Sequence, residues 1–292
     1  MTYKGIILAG GRGTRLYPTT SVVSKQLLNV YDKPLIYYPL FTLMLAGIRE
    51  ILIISAEDQC PQYKRLFGDG SQLGISIQYE IQKEPNGLPE AFIVGEKFIG
   101  DDNVCLILGD NIIFGNQLDV LLKKSQTGVG GTVLTYPVKD PERFGIVEFE
   151  RFDEGEVISI EEKPTHPKSN RALTGVFFFD NRCIEYAKEL KPSKRNELEI
   201  VDLCRKYLDN KELRVNNLSR TMTWVDAGTF KSLLLASNLI CNLEQIQSYK
   251  ISCPEEVAYK NGWIDKDSLL KLADSYPKGE YQDYLKLLPS LG

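Results

Sequence analysis

Four short apolar runs recur in the first 108 residues: "KGIILA" (4–9), "EILIIS" (50–55), "SIQYEI" (76–81) and "NVCLIL" (103–108). Helical stretches separate them. Strand–helix alternation of this kind predicts an α/β fold with a mainly parallel sheet and helices on both faces, because parallel neighbours need crossover connections. The clearest helix is predicted over about 34–46, with Asp32 as upstream cap, Pro34 in the first turn, Gly47 past the end and a kink at Pro39. Two more are predicted over about 88–98 and 117–125. From about 131 to 180 the rhythm changes. "GTVLTYPV", "GIVEFE", "EVISIEEK" and "TGVFFFD" read as consecutive strands, a mixed sheet region covering one side of a cleft. In "VFFF" (176–179) most rings belong to the core, with one face free to stack on a ligand. Helices return at about 180–190 and 197–209, followed by a strand (212–218), the segment "TMTWVDAGTF" (221–230) and a helical remainder.

A chain of 292 residues is long enough for one large domain or one with a satellite. Its formal charge of −4 argues against a nucleic-acid partner, so an anionic ligand must be met by local cations. No apolar run approaches the ~18 residues that span a bilayer. The first residues run directly into a strand without a signal-peptide pattern, and the cysteines form no CxxC pair. The expectation is therefore reduced cysteines, Cys105 among them buried, in a cytoplasmic protein. The only histidine, His166 in "PTHPKSN", reads as an exposed loop residue, which leaves Ser–His–Asp and Cys–His chemistry without support.

The first strand empties into "AGGRGTRL" (9–16), where Gly10, Gly11, Gly13 and Thr14 surround Arg12 and Arg15. No Lys–Ser/Thr follows the glycines, so a Walker A loop is ruled out. Leu16 stands where a dinucleotide fingerprint needs its third glycine. What remains is a tight turn of backbone amides that favours an anion, with Arg15 able to grip phosphate oxygens. A plain glycine-rich turn with surface arginines is the alternative.

"LAGGRGTRLYPTT" followed by "SKQLLNVYDKPLIYYPL" resembles the signature of the sugar-1-phosphate nucleotidylyltransferases. "LFGDGS", "LGDN", "DPERFG", "EEKP", "HPKSN", "ELEI", "WVDAGT" and "CPEE" follow in the family's order, so the resemblance covers essentially the whole chain. It implies a Rossmann-like fold with an inserted sugar-binding β-rich region and a helical C-terminal end. The implied division is a nucleotidyltransferase domain over 1–240 (nucleotide part about 1–130, sugar-phosphate part about 131–230) and a C-terminal segment, 241–292, for oligomerisation or regulation.

The implied reaction is attack of glucose 1-phosphate on the α-phosphorus of dTTP, releasing pyrophosphate. The nucleophile is already an anion, so positioning and charge neutralisation carry the step without a general base. Arg15 and Lys25 would hold the triphosphate, with Leu8 and the loop glycines beside them. Lys163 and Arg195 would hold the sugar phosphate. Asp110, past the end of an apolar strand, and Asp226, after a second apolar segment, would bind Mg²⁺, an ion suited to a few carboxylates with phosphate and water. Each aspartate also admits a bland reading, as the cap of a turn or helix.

Gln82, Gly87 and Leu88 would meet the pyrimidine; Asn111, Gly145, Glu162, Leu173 and Gly175 would meet the sugar. The chain departs from the family's "PDGLAQAF" at Pro89 and Glu90, which leaves open UTP in place of dTTP, or another hexose 1-phosphate in place of glucose 1-phosphate. Leu173 and Asn196 are smaller departures. A metal-dependent glycosyltransferase would carry an Asp-x-Asp motif where this chain has "GDN". A non-catalytic regulatory subunit would lack one of Arg15, Lys25, Asp110, Lys163 or Asp226, and all five are present. The resemblance also implies a homotetramer and a second site for a feedback-inhibiting nucleotide sugar.

Overall fold

The computed structural model describes residues 2–11, 13–151 and 154–291; Arg12 of the opening loop lies outside the described residues. Strand β1 (Tyr3–Leu8) leads through that loop to a small hairpin, β2 (Asn29–Val30) and β3 (Lys33–Pro34), and to helix α1 (Tyr37–Leu45). Next come β4 (Glu50–Ser55), α2 (Cys60–Phe67), β5 (Ser76–Ile81), α3 (Glu90–Val94), α4 (Glu96–Ile99) and β6 (Asn103–Leu108). β7 (Asn111–Gly115) and α5 (Leu118–Ser125) precede the strand-rich stretch β8 (Gly131–Pro137), β9 (Gly145–Arg151), β10 (Glu154–Glu162) and β11 (Arg171–Phe179). The chain ends with α6 (Cys183–Glu189), α7 (Ile200–Asp209), β12 (Leu213–Asn217), β13 (Met222–Asp226), α8 (Phe230–Gln247), α9 (Pro254–Lys260), α10 (Lys266–Ser275) and α11 (Glu280–Leu287).

The main sheet runs β10-β9-β11-β6-β1-β4-β5, with β8 on β11 and β12 on β8. The four strands read first from the sequence form its parallel half, with Leu8 opposite both Ile54 and Leu108 at the carboxyl edge. β11 joins β6 antiparallel, so the inserted strands extend the same sheet. The parallel strands are near-continuous apolar runs because helices cover both faces. Ile7, Ile53, Cys105 and Ile107 pack under Leu40, Leu43 and Met44 of α1. Ile6, Leu52, Leu106, Phe177 and Phe179 pack against Phe92 and Tyr207 on the other face. β7 and β13 form a separate antiparallel ribbon with Asn111 opposite Asp226.

Several local expectations change. The first helix begins at Tyr37, and Asp32 is not its cap: its carboxylate pairs with Lys33 at 2.5 Å and Lys250 at 2.6 Å. Pro34 lies in β3, and Pro39 falls in the first turn of α1, where its missing N–H has no intrahelical acceptor to lose and no kink is required. The predicted helix at 88–98 is two short ones meeting at Gly95. Val176, Phe177, Phe178 and Phe179 are all buried in the core, which leaves no ring of "VFFF" open to a ligand. Helix α8 runs unbroken through residue 240, the proposed boundary of the C-terminal segment. Among the described residues no helix is long and apolar enough to cross a membrane. Cys105 is buried and all six cysteines are free; His166 is exposed.

Candidate active site

A cleft of about 620 Å³ opens at the carboxyl ends of β1 and β6, where parallel sheets ordinarily bind ligands. Leu8, Gly10, Gly11, Arg15, Gln82, Gly87 and Leu88 line one wall. Asp110, Asn111 and Asp226 form the floor, while Glu162, Lys163, Leu173, Gly175 and Arg195 line the opposite wall. Gly13 and Thr14 belong to the loop behind the first wall, with Thr14 opening the 3₁₀ turn that carries Arg15. Gly145 lies behind the second wall; a methyl group there would sit 3.0 Å from Leu173 and 3.3 Å from Glu162.

The two aspartates are brought together by pairing that no local pattern announces. Asp226 ends β13 opposite Asn111, and the Ala227 amide donates to the Asp110 carbonyl at 3.0 Å. Neither aspartate caps a helix; Thr229 caps α8, closing a capping box with Ser232. Lys25 Nζ lies 2.5 Å from Asp110 Oδ2, and the Asn111 amide donates to Asp110 Oδ1 at 3.2 Å. Arg15 closes over the same place: a methyl group on Gly228 would stand 2.8 Å from its guanidinium and 3.0 Å from Asp226 Oδ1. Burial, and then the charge of Asp110, push the Asp226 carboxyl above the usual carboxylate range, against the pull of Lys25, Arg15 and Arg143.

Two neighbouring carboxylates on the cleft floor fit a divalent cation with oxygen ligands. Among the described residues there is no third acid, histidine or cysteine to complete a protein cage. A cation held there would take its remaining ligands from phosphate and water, a set that suits Mg²⁺.

On the opposite wall Arg195 is gripped by Glu199, with bonds of 3.1 Å and 2.6 Å to its two oxygens, and donates to Glu162 at 3.1 Å. Lys163 holds a left-handed backbone (φ 45°) and an exposed ammonium at the cleft edge, 3.4 Å from Glu162. Burial raises the Glu162 carboxyl, while Lys163 and Arg195 oppose the shift. The Asn111 amide is engaged within the protein, since Trp224 Nε1 donates to its oxygen at 2.5 Å. Its nitrogen donates to Asp110 and its oxygen accepts from Trp224, beside the sugar wall where the sequence places it.

Arg143, missing from the sequence reading, reaches within 3.8 Å of Asp226 and lies 5.2 Å over the Phe144 ring. Its only signal was a cation inside "DPERFG". Trp224 and Leu198 also line the cleft without having been singled out. Leu198 matters because it forms a parallel bridge with Gly87, and its amide donates to the Asn86 carbonyl at 2.6 Å. That clamp ties the Gln82–Leu88 wall to the loop bearing Arg195.

The chain is similar to known proteins over nearly its whole length. A family model described as nucleotidyl transferase matches residues 4–242. A glucose-1-phosphate thymidylyltransferase from Neisseria meningitidis serogroup A is 55% identical over 284 residues, covering 97% of this chain and 98% of its own. A solved structure from Bacillus anthracis, provisionally described as a glucose-1-phosphate thymidylyltransferase, superimposes with a TM-score of 0.75 at 40% identity, over 82% of this chain and 95% of its own. A UDP-glucose pyrophosphorylase complexed with UDP-glucose gives a TM-score of 0.74 at 25% identity, over 83% of this chain and 99% of its own. With a strand-end cleft, a paired-aspartate floor and similarity that runs nearly end to end, the chain belongs to the nucleotidyl transferase family.

Proposed function

We propose that this enzyme joins dTTP to glucose 1-phosphate, giving dTDP-glucose and pyrophosphate. The observation that carries the reading is the pair Asp110 and Asp226 on the cleft floor, with Lys25, Arg15 and Arg143 around it and Lys163 and Arg195 opposite. Two substrates that repel each other can meet only where both sets of phosphates are neutralised. Arg15 and Lys25 suit the triphosphate and its departing pyrophosphate. Lys163 and Arg195 suit the sugar phosphate, whose oxygen forms the new bond to the α-phosphorus as the bond to pyrophosphate breaks. Asp110 and Asp226 would hold Mg²⁺, which when bound neutralises phosphate charge. Lys25 must then share Asp110 with the metal. Gln82 and Gly87 hold the base, and Asn111 keeps Asp110 aimed into the cleft.

The test is pyrophosphate release. It is expected only when dTTP and glucose 1-phosphate are supplied together with Mg²⁺; release from dTTP alone would refute the reading. The likeness to a UDP-glucose pyrophosphorylase makes UTP the second nucleotide to try. Lys163→Ala is expected to raise KM for glucose 1-phosphate about tenfold or more while changing KM for dTTP little, since a charge-assisted contact is worth about 1.5–3 kcal/mol. Equal loss for both substrates would contradict the assignment.

A second cavity, of about 890 Å³, lies between α5, α9 and the end of α8, lined by Phe114, Lys123, Tyr249, Lys250 and Lys260 among others. Lys123 and the rings of Phe114 and Tyr249 suit the feedback-inhibiting nucleotide sugar that the family resemblance implies, while Lys250 and Lys260 are paired with acids of the chain itself. Leu234, Leu235 and Ile246 of α8 are exposed apolar side chains, which assembly into the expected tetramer would cover. The free thiols suit a cytoplasmic enzyme.

A further inference from the structure

The residue at which this chain departs from the family pattern beside the base wall is built into that wall. Glu90, at the first position of α3, accepts a hydrogen bond from Gln82 Nε2 at 2.5 Å and a second from Asn86 Nδ2 at 2.8 Å. The other hydrogen of Gln82 Nε2 points toward the Gly87 carbonyl at 3.4 Å. Gln82 is buried, and its oxygen lies over Gly10, only 2.8 Å from where a methyl group on that residue would stand. A side chain at position 10 would push the Gln82 amide aside.

The chemistry of the partner settles which way the Gln82 amide faces. A free glutamine amide can present either its donor or its acceptor, and the two orientations are nearly isosteric. A carboxylate only accepts. Opposite Glu90 the nitrogen must therefore face the carboxylate, and the oxygen is left for the cleft.

We propose that Glu90 is a positioning residue that fixes Gln82 as a hydrogen-bond acceptor toward the nucleobase, and so selects bases carrying a ring N–H, thymine and uracil, over cytosine. The inference rests on the reading that Gln82 meets the base. Thymine and uracil present N3–H to an acceptor at that place. Cytosine presents a lone pair there, which would face the Gln82 oxygen unpaired. Sites that hydrogen-bond one edge discriminate well because the wrong partner leaves buried polar groups unmatched. Glu90 acts through Gln82 and touches neither reacting phosphate.

The test compares kcat/KM for dTTP and dCTP, together with KM for glucose 1-phosphate, in the wild type, Glu90→Ala, Glu90→Gln, Asn86→Ala and Gln82→Ala. Glu90→Ala is expected to raise KM for dTTP and to lower the dTTP-to-dCTP preference, each about tenfold, the effect of one charge-assisted hydrogen bond. Its kcat and its KM for glucose 1-phosphate should stay within about twofold, as for a loss of binding alone. Glu90→Gln can donate to Gln82 as well as accept from it, so the preference should fall, though by less than in Glu90→Ala; an unchanged preference would show that the carboxylate is not what fixes the amide. Asn86→Ala removes the other bond to Glu90 and should leave the preference intact; loss there equal to that of Glu90→Ala would make Glu90 a loop brace and overturn the proposal. Should the alanine variant fail to fold, Glu90→Asp, too short to reach both amides, reads the same ratio. An unchanged ratio in the Glu90 variants with a lost ratio in Gln82→Ala overturns the role of Glu90 alone. An unchanged ratio in Gln82→Ala overturns the base contact itself.

Discussion

Asp226→Asn is expected to lower kcat/KM about a thousandfold or more while leaving the protein folded, because electrostatic and metal contributions to displacements at phosphorus are of that order. The same substitution should not lower the melting temperature at neutral pH. Asp226 is buried beside Asp110, and its carboxyl is held above the ordinary range in the folded state. A raised carboxyl binds its proton more tightly in the native than in the unfolded protein. Its ionisation therefore costs stability as pH rises from the unfolded toward the folded value, and at neutral pH that cost is fully present. Asparagine keeps the shape and removes the charge. An inactive variant with an equal or higher Tm, by calorimetry and circular dichroism, would fit a functional acid kept at a cost to stability. A sharply destabilised one would point to a structural role instead.

Gly87→Ala is expected to lower kcat/KM for both substrates about a hundredfold, the effect of displacing substrate-holding groups by about an ångström. Gly87 has φ 112°, and a methyl group there would fall on the backbone of Leu198, 2.6 Å from its nitrogen and closer still to its carbonyl oxygen. Rigid backbone cannot yield as a side chain tip can. The bridge between Gly87 and Leu198 must open, and with it the link between the base wall and the loop that carries Arg195. Strain of this kind costs about 1–3 kcal/mol, so a loss of Tm should accompany the loss of activity. Initial rates with each substrate varied in turn separate this variant from Lys163→Ala. Loss confined to one substrate would show that the clamp does not couple the two walls.

The parallel half of the sheet was legible from the sequence almost to the residue, since continuous apolar runs between helices have few other solutions. Asp110 was equally readable as a polar residue just past a buried strand. Asp32 was misread because Lys250 lies across the fold and Lys33, its neighbour, opens a strand of the hairpin rather than a helix, and a cap reading sees neither. Gly95 broke a helix that periodicity alone would have continued. Arg143 escaped because a surface-loop cation looks the same whether or not it faces an acid from β13. The hold of Glu90 on Gln82 could be suspected only as a departure from pattern; its meaning needed the geometry. What local pattern could not supply was pairing over long separations, such as Asn111 with Asp226.

The most direct measurement of the central claim is the anomalous diffraction of crystals soaked with Mn²⁺ and dTDP-glucose. One peak in contact with the carboxylates of both Asp110 and Asp226 is the expected result. A peak bound by neither, or no peak while the nucleotide sugar occupies the cleft, would contradict it.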